Sequence, residues 1–122
     1  MTRNAPPSVP VAVLRMEDLQ IWIIERVADL PRAHKFTVGD RMVEAALDVT
    51  VHLVEAAYLR DKLDELLAAS RALSRLRILV RAAVRLRLLS NRQGGYFAEQ
   101  SDEVGRMIGG WTRSVRTPKE RS

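Results

Sequence analysis

Apolar residues return at three- and four-residue steps over most of this chain, and no stretch alternates in the way of a strand, so the pattern predicts helices throughout. Leu19, Ile23, Val27 and Leu30, with Trp22 beside them, mark the inner edge of a first helix. It begins near Leu14 to Glu17 and reaches about Leu30. Pro31 ends it, because proline lacks an amide hydrogen and disfavours helix in the residue before it. Residues 1–13, broken by Pro6, Pro7 and Pro10, make a flexible N-terminal arm.

After a short basic connection, Thr37 is placed to cap a second helix, with Asp40 three residues on resembling a capping box and Phe36 as its apolar staple. Met42, Ala46, Val49, Leu53, Ala56 and Ala57 form the inner face, and Asp40, Glu44, Asp48 and Glu55 form an acidic stripe elsewhere. This helix reaches Tyr58 to Asp61. No strong breaker follows, yet the chain must turn back, and a bend is expected between Leu59 and Asp64. A third helix then runs from about Lys62 to Leu89, stopped by Ser90-Asn91 and Gly94-Gly95. A fourth starts around Tyr96 to Ser101 and repeats Val104, Met107, Ile108, Trp111 and Val115, which carries it through Gly109-Gly110. The alternative is a cap at Gly109 or Gly110 with Trp111 folding back. Four helices with short links predict an all-α, antiparallel four-helix bundle over residues 14–116, followed by a disordered tail at 117–122.

Charge changes this picture more than composition does. Residues 1–70 hold eight Lys and Arg against eleven Asp and Glu, a net of −3, whereas residues 71–122 hold twelve against four, a net of +8. Between Glu65 and Glu99 there is no acid, and seven arginines (Arg71, Arg75, Arg77, Arg81, Arg85, Arg87, Arg92) stand among leucines, valines and alanines. At ~100° per residue, all but Arg87 fall within roughly 160° of one helical face. Arg87 falls on the apolar side. Arginine presents a rigid fork suited to phosphate and carboxylate. Such a face calls for an anionic partner: a phosphate backbone or an acidic protein surface, or the acidic stripe of the second helix, within the bundle or across subunits. Counting disfavours complete internal pairing, since four acids face six arginines.

Other chemistry is sparse. The chain has no cysteine, which excludes disulfides and thiolate metal sites and is compatible with a cytoplasmic protein. Its N-terminal apolar run is too short and proline-rich for a membrane span or signal peptide. Asp48, His52 and Glu55 share a helical face at metal-ligand spacing, but the order differs from that of carboxylate-bridged bundles, and a solvated acidic face is the simpler reading. There is no phosphate-cradling glycine loop and no nucleophile–base spacing, so no catalytic residue, cofactor or enzyme is expected. Trp22, Phe36, Tyr58, Tyr96, Phe97 and Trp111 are dispersed and read as core and cap residues in preference to a stacking platform.

Three segments occur in a recognisable order and spacing: Pro31–Arg41 (PRAHKFTVGDR), Leu76–Arg81 (LRILVR) and Glu103–Trp111 (EVGRMIGGW). Together they resemble the accessory variability determinant proteins of diversity-generating retroelements, which belong with the four-helix-bundle proteins encoded in intervening sequences of bacterial 23S ribosomal RNA genes. The resemblance spans about Ile21 to Arg113, and the Gly-Arg-Met-Ile-Gly-Gly-Trp segment is its most specific part. Arg77 and Arg81 match basic positions of the second segment and Arg106 that of the third. Lys35 stands where the family often has arginine, and Ala82 to Arg85 and Gly94-Gly95 depart from the family pattern.

The resemblance implies a pentameric barrel of bundle protomers, encoded in bacteria, archaea or phage. It would associate with the retroelement's reverse transcriptase and its template RNA and cDNA, and would support mutagenic cDNA synthesis without a catalytic site of its own. The expected binding residues are then Arg71, Arg75, Arg77, Arg81, Arg85, Arg92 and Arg106. Arg87, Gly105, Gly109 and Trp111 are the candidates for contacts between protomers. The competing expectation is a structural bundle associated with ribosomal RNA and lacking a polymerase partner.

Overall fold

The computed structural model describes residues 9–116, and these form four long helices: α1 (Val11–Ala28), α2 (Asp40–Tyr58), α3 (Leu63–Arg85) and α4 (Asn91–Val115). Each packs on its neighbour in sequence and α4 returns to α1, closing an antiparallel ring. The described residues contain no strand, and no helix among them is long and apolar enough to cross a membrane. Met16 and Ile23 of α1, Met42, Val49 and Leu53 of α2, Leu66, Leu73 and Leu76 of α3, and Val104 and Ile108 of α4 fill the core. The inner edges expected for the first, second and fourth helices from their periodicity are therefore among the faces that meet.

The first helix starts earlier than its sequence suggests. Pro10 supplies the first carbonyl, accepting from the amides of Val13 (3.0 Å) and Leu14 (3.3 Å), and proline is tolerated there because its missing hydrogen would lie outside the ladder anyway. Burying Ala12 and Val13 draws these residues into the bundle, so the bundle begins at Val11, inside the expected arm. The expected tail at 117–122 lies outside the described residues.

The connection from α1 to α2 also departs from expectation. A single turn, Arg32–His34, runs into a π-helical turn, Lys35–Gly39, which joins α2 without a cap. Thr37 does not cap: its hydroxyl donates back to the carbonyl of His34 at 3.2 Å. Phe36 is no staple either, being exposed beneath the guanidinium of Arg32, 5.9 Å from the ring centroid.

The bend expected between Leu59 and Asp64 is present, and its cause is a side chain. Lys62 Nζ donates to the carbonyls of Ala56 (2.7 Å) and Leu59 (2.8 Å) and reaches that of Ala57 (3.5 Å). A cation thus closes the negative end of α2, while Asp64 and Glu65 occupy the positive first turn of α3. His52 Nδ1 lies 2.7 Å from Glu65 Oε1 and ties the two helices just below the bend.

At its far end α3 stops at Arg85, short of the expected Leu89. Arg87 adopts a left-handed backbone (φ 62°). Its amide donates to Val84 O at 3.0 Å, and that of Leu88 to Ala83 O at 2.8 Å, the Schellman pattern of helix termination. Because the helix has ended, Arg87 is exposed and does not lie on the apolar side. Ser90 then opens α4 through a complete capping box: its Oγ accepts from the Gln93 amide (3.0 Å), and Gln93 Oε1 accepts from the Ser90 amide (2.9 Å). Gly94 and Gly95, expected to break the chain, lie inside α4. A Cβ on Gly94 would stand 2.7 Å from Val84 Cγ2, so its bareness lets α4 lie close on α3. The far end of α4 continues through Gly109-Gly110 to Val115 as expected.

Replacing Lys62 by Met keeps the aliphatic stem and removes the charge that closes α2. A loss of about 1–2 kcal/mol is expected from charge-assisted bonds to helix-terminal carbonyls, read as a lower urea midpoint with an unchanged slope.

Candidate functional site

The arginine arc of α3 is outward, as its spacing required, but the fold divides it in two. Toward α2, Arg75 Nη1 meets Asp48 Oδ2 at 3.2 Å with both side chains more than half exposed, a pair worth ~0–1 kcal/mol. Toward α4, Arg77 Nη2 donates to the carbonyl of Ser101 at 3.0 Å and lies 3.4 Å from Asp102 Oδ1. The second pairing is made possible by Gly105, where a Cβ would stand 2.8 Å from Arg77 Nη2. The guanidinium lies where any other side chain would begin. Between these two anchored arginines Ile78 is 62% exposed, an apolar residue in the middle of the charged face.

The remaining arginines are placed differently. Arg81 and Arg85 flank a groove between α3 and α4 that is floored by Val80, Val84, Phe97 and Ala98 and reaches Asn91 at one end and Asp102 at the other. Arg92 sits in the first turn of α4 and not, as expected, on the arc of α3. Arg71, Arg81, Arg85, Arg87 and Arg92 are all exposed, and none makes a salt bridge among the described residues. Arg106 is exposed too, but pairs within its own helix with Glu103 at 2.6 Å.

The acidic stripe of α2 therefore neutralises little of the arc: Asp48 alone of its four acids pairs with it. Asp48 and His52, two of the three residues at metal-ligand spacing, are directed to Arg75 and Glu65 respectively. Trp111 is half-buried against the core and borders a separate apolar recess with Pro10, Val11 and Met107, while Gly109 lies beside Arg113.

The fold gathers aromatics that look dispersed in sequence. Trp22 lies 5.2 Å from Tyr96 and 6.5 Å from Phe97 by ring centroids, with Arg26 5.6 Å above the indole. Phe97 joins this cluster to the groove. The groove itself is the feature that sequence reasoning missed. The signal for it was Ser90-x-x-Gln93, which starts α4 at least five residues earlier than expected and brings Gly94, Phe97 and Ala98 opposite Arg81 and Arg85.

The family model described as bAvd-like matches residues 11–115, the whole of the four-helix ring. The chain belongs to the bAvd-like family. No curated protein is matched by it. Membership bears out the likeness to accessory variability determinant proteins drawn from the three segments. The structure gives a physical account of two of them, since Arg77 of Leu76–Arg81 rests on Gly105 of Glu103–Trp111. A pair of residues 28 positions apart in sequence thus acts as one contact in this bAvd-like chain.

Two substitutions separate structural from exposed arginines here. Gly105→Ala should displace the Arg77 guanidinium, and because the helix propensity that alanine gains offsets about 1 kcal/mol of the lost bond to Ser101, the net change in stability by chemical denaturation should lie within about 0.5 kcal/mol of zero. Arg87→Gly should stabilise by about 1 kcal/mol in the same measurement, because glycine adopts the left-handed backbone without the Cβ penalty.

Proposed function

We propose that this bAvd-like protein is a non-catalytic accessory factor of a diversity-generating retroelement. It binds template RNA and its cDNA, engages the reverse transcriptase of the same element, and so supports mutagenic cDNA synthesis. The observation that carries the reading is the set of exposed arginines on α3, its terminus and the start of α4 that no acid offsets among the described residues. Each can displace condensed counterions from a phosphate backbone, which is the main source of affinity for nucleic acid. Ile78 supports a protein as second partner, since a phosphate gains nothing from an exposed aliphatic side chain whereas a protein surface does.

The protein acts as a homo-oligomer, a pentamer in this reading. Leu14 and Ile21 on α1, seven residues apart, and Leu47, Val51 and Tyr58 on α2, at helical spacing, are exposed apolar residues of two adjacent helices. Aligned in this way, they support a surface shared with another chain. Repetition around a ring would multiply weak arginine contacts into tight binding.

The test uses Arg81→Glu with Arg85→Glu, because Arg77 is occupied within the fold. Template-RNA affinity should collapse at moderate salt, with the slope of log affinity against log salt shallower by about 1.5. Light scattering should still give the mass of the intact assembly, and the purified pair of wild-type protein and reverse transcriptase should co-elute. Unchanged RNA binding by the double variant would overturn the assignment.

A further inference from the structure

Neutralising a phosphate backbone requires cations on a wet surface and nothing more. The groove between α3 and α4 has more than that. Arg81 and Arg85 stand at the edge of a recess of about 350 Å³, within the ~300–1,000 Å³ of ordinary small-ligand sites. Its floor is apolar: Val80 and Phe97 are buried, Val84 is half-buried, and Ala98 supplies only a methyl group. Anion-binding forks beside an apolar recess match a ligand carrying a negative group and a weakly hydrated ring a short distance apart. A nucleotide is such a ligand.

The two ends of the groove differ in a way that orients the ligand. At one end Arg85 stands near Asn91 and the first turn of α4, where the positive end of a 25-residue helix dipole adds to the arginine charge. At the other end Arg77 is held by Ser101 and Asp102, so that it forms a fixed wall, with the Asp102 carboxylate as an acceptor beside it. Asp102 is the one acid lining the groove. This polarity would favour a phosphate at the Asn91 end and a base on the apolar floor toward Asp102.

We infer that the α3–α4 groove receives the base of an unpaired nucleotide while Arg81 and Arg85 hold the adjoining phosphate. The inference rests on the nucleic-acid reading above and adds a preference to it. A paired base stays inside its stack and cannot enter a side groove, whereas an unpaired base can be splayed out and bound on its face. The site therefore distinguishes single-stranded from duplex nucleic acid without reading sequence.

The experiment compares a short mixed-sequence single-stranded RNA bearing 2-aminopurine at its centre with a duplex of the same length, using the full-length protein. The variants are Ala98→Leu and Ala98→Gln, which fill the recess from an exposed helical position without altering charge, and the double variant Arg81→Gln with Arg85→Gln. Wild-type binding should change the 2-aminopurine emission. Both Ala98 variants should weaken single-strand binding about tenfold, the scale of one lost base contact, and abolish the emission change. Their duplex affinity and salt slope should match wild type. The arginine double variant should weaken both ligands. If the Ala98 variants bind the single strand as wild type does while the arginine variant fails, the groove is not a base site and the backbone reading stands. If wild type binds neither RNA, the nucleic-acid reading itself falls.

Discussion

Two amide hydrogens, those of Leu88 and Leu89, converge on the carbonyl of Ala83 at 2.8 and 3.3 Å, and the rest of the candidate site depends on that meeting point. It stops α3 two residues before Arg87, throws that residue into the left-handed region, and delivers Ser90 to the start of α4. One further turn of α3 would have kept Arg87 in the helix and delayed α4. Gly94 would then not face Val84, nor Phe97 and Ala98 flank Arg81 and Arg85. The groove is a consequence of where one helix ends. That ending is not set by the residue best suited to it, because arginine at a left-handed position costs about 1–2 kcal/mol relative to glycine. The exposed charge is the feature that arginine adds there.

What was legible in the sequence follows from which forces act along the chain and which act across it. The inner faces of the first, second and fourth helices could be read because burial imposes a period of 3.6 on each helix independently. The bend after Tyr58 was predictable from the need to turn back, but its cause was not, since Lys62 acts through a side chain reaching carbonyls three to six residues behind it. Thr37-x-x-Asp40 and Ser90-x-x-Gln93 look alike as capping signals. The first is overridden by a π-turn that keeps the backbone helical through Gly39, and the second is a real cap. Gly94-Gly95 misled for a related reason. A propensity cost near 1 kcal/mol per glycine is small beside the packing gained when α4 lies close on α3.

The arginine arc shows the same division more sharply. Its existence and outward direction follow from spacing on one helix. The duties of its members do not, because they depend on the register of α3 against both neighbours. Arg77 and Arg81 occupy equivalent positions in the sequence pattern, one turn apart. Yet Arg77 is drawn over Gly105 to a backbone carbonyl, and Arg81 is left at the rim of the groove. No single-helix argument separates them. The bareness of Gly105 does, and it belongs to another helix. A glycine that looked suited to contact between copies of the chain is, within this chain, the platform for an arginine.

A face of like charges also links partner binding to folding. Arg81 and Arg85 lie one turn apart on a helix, a spacing at which like charges repel by a few tenths of a kcal/mol, and Arg71, Arg87 and Arg92 add to the same field without a compensating acid among the described residues. The folded chain bears that repulsion, and the unfolded chain relieves much of it by expanding. An anion that binds only the folded face cancels the repulsion and adds its own attraction, so its binding energy appears as stability. Salt, by screening the repulsion and weakening the attraction at once, should leave the free protein steadier and the complex weaker. Under the proposed function, the arrangement that is costly in isolation is the one that a polyanion would repay.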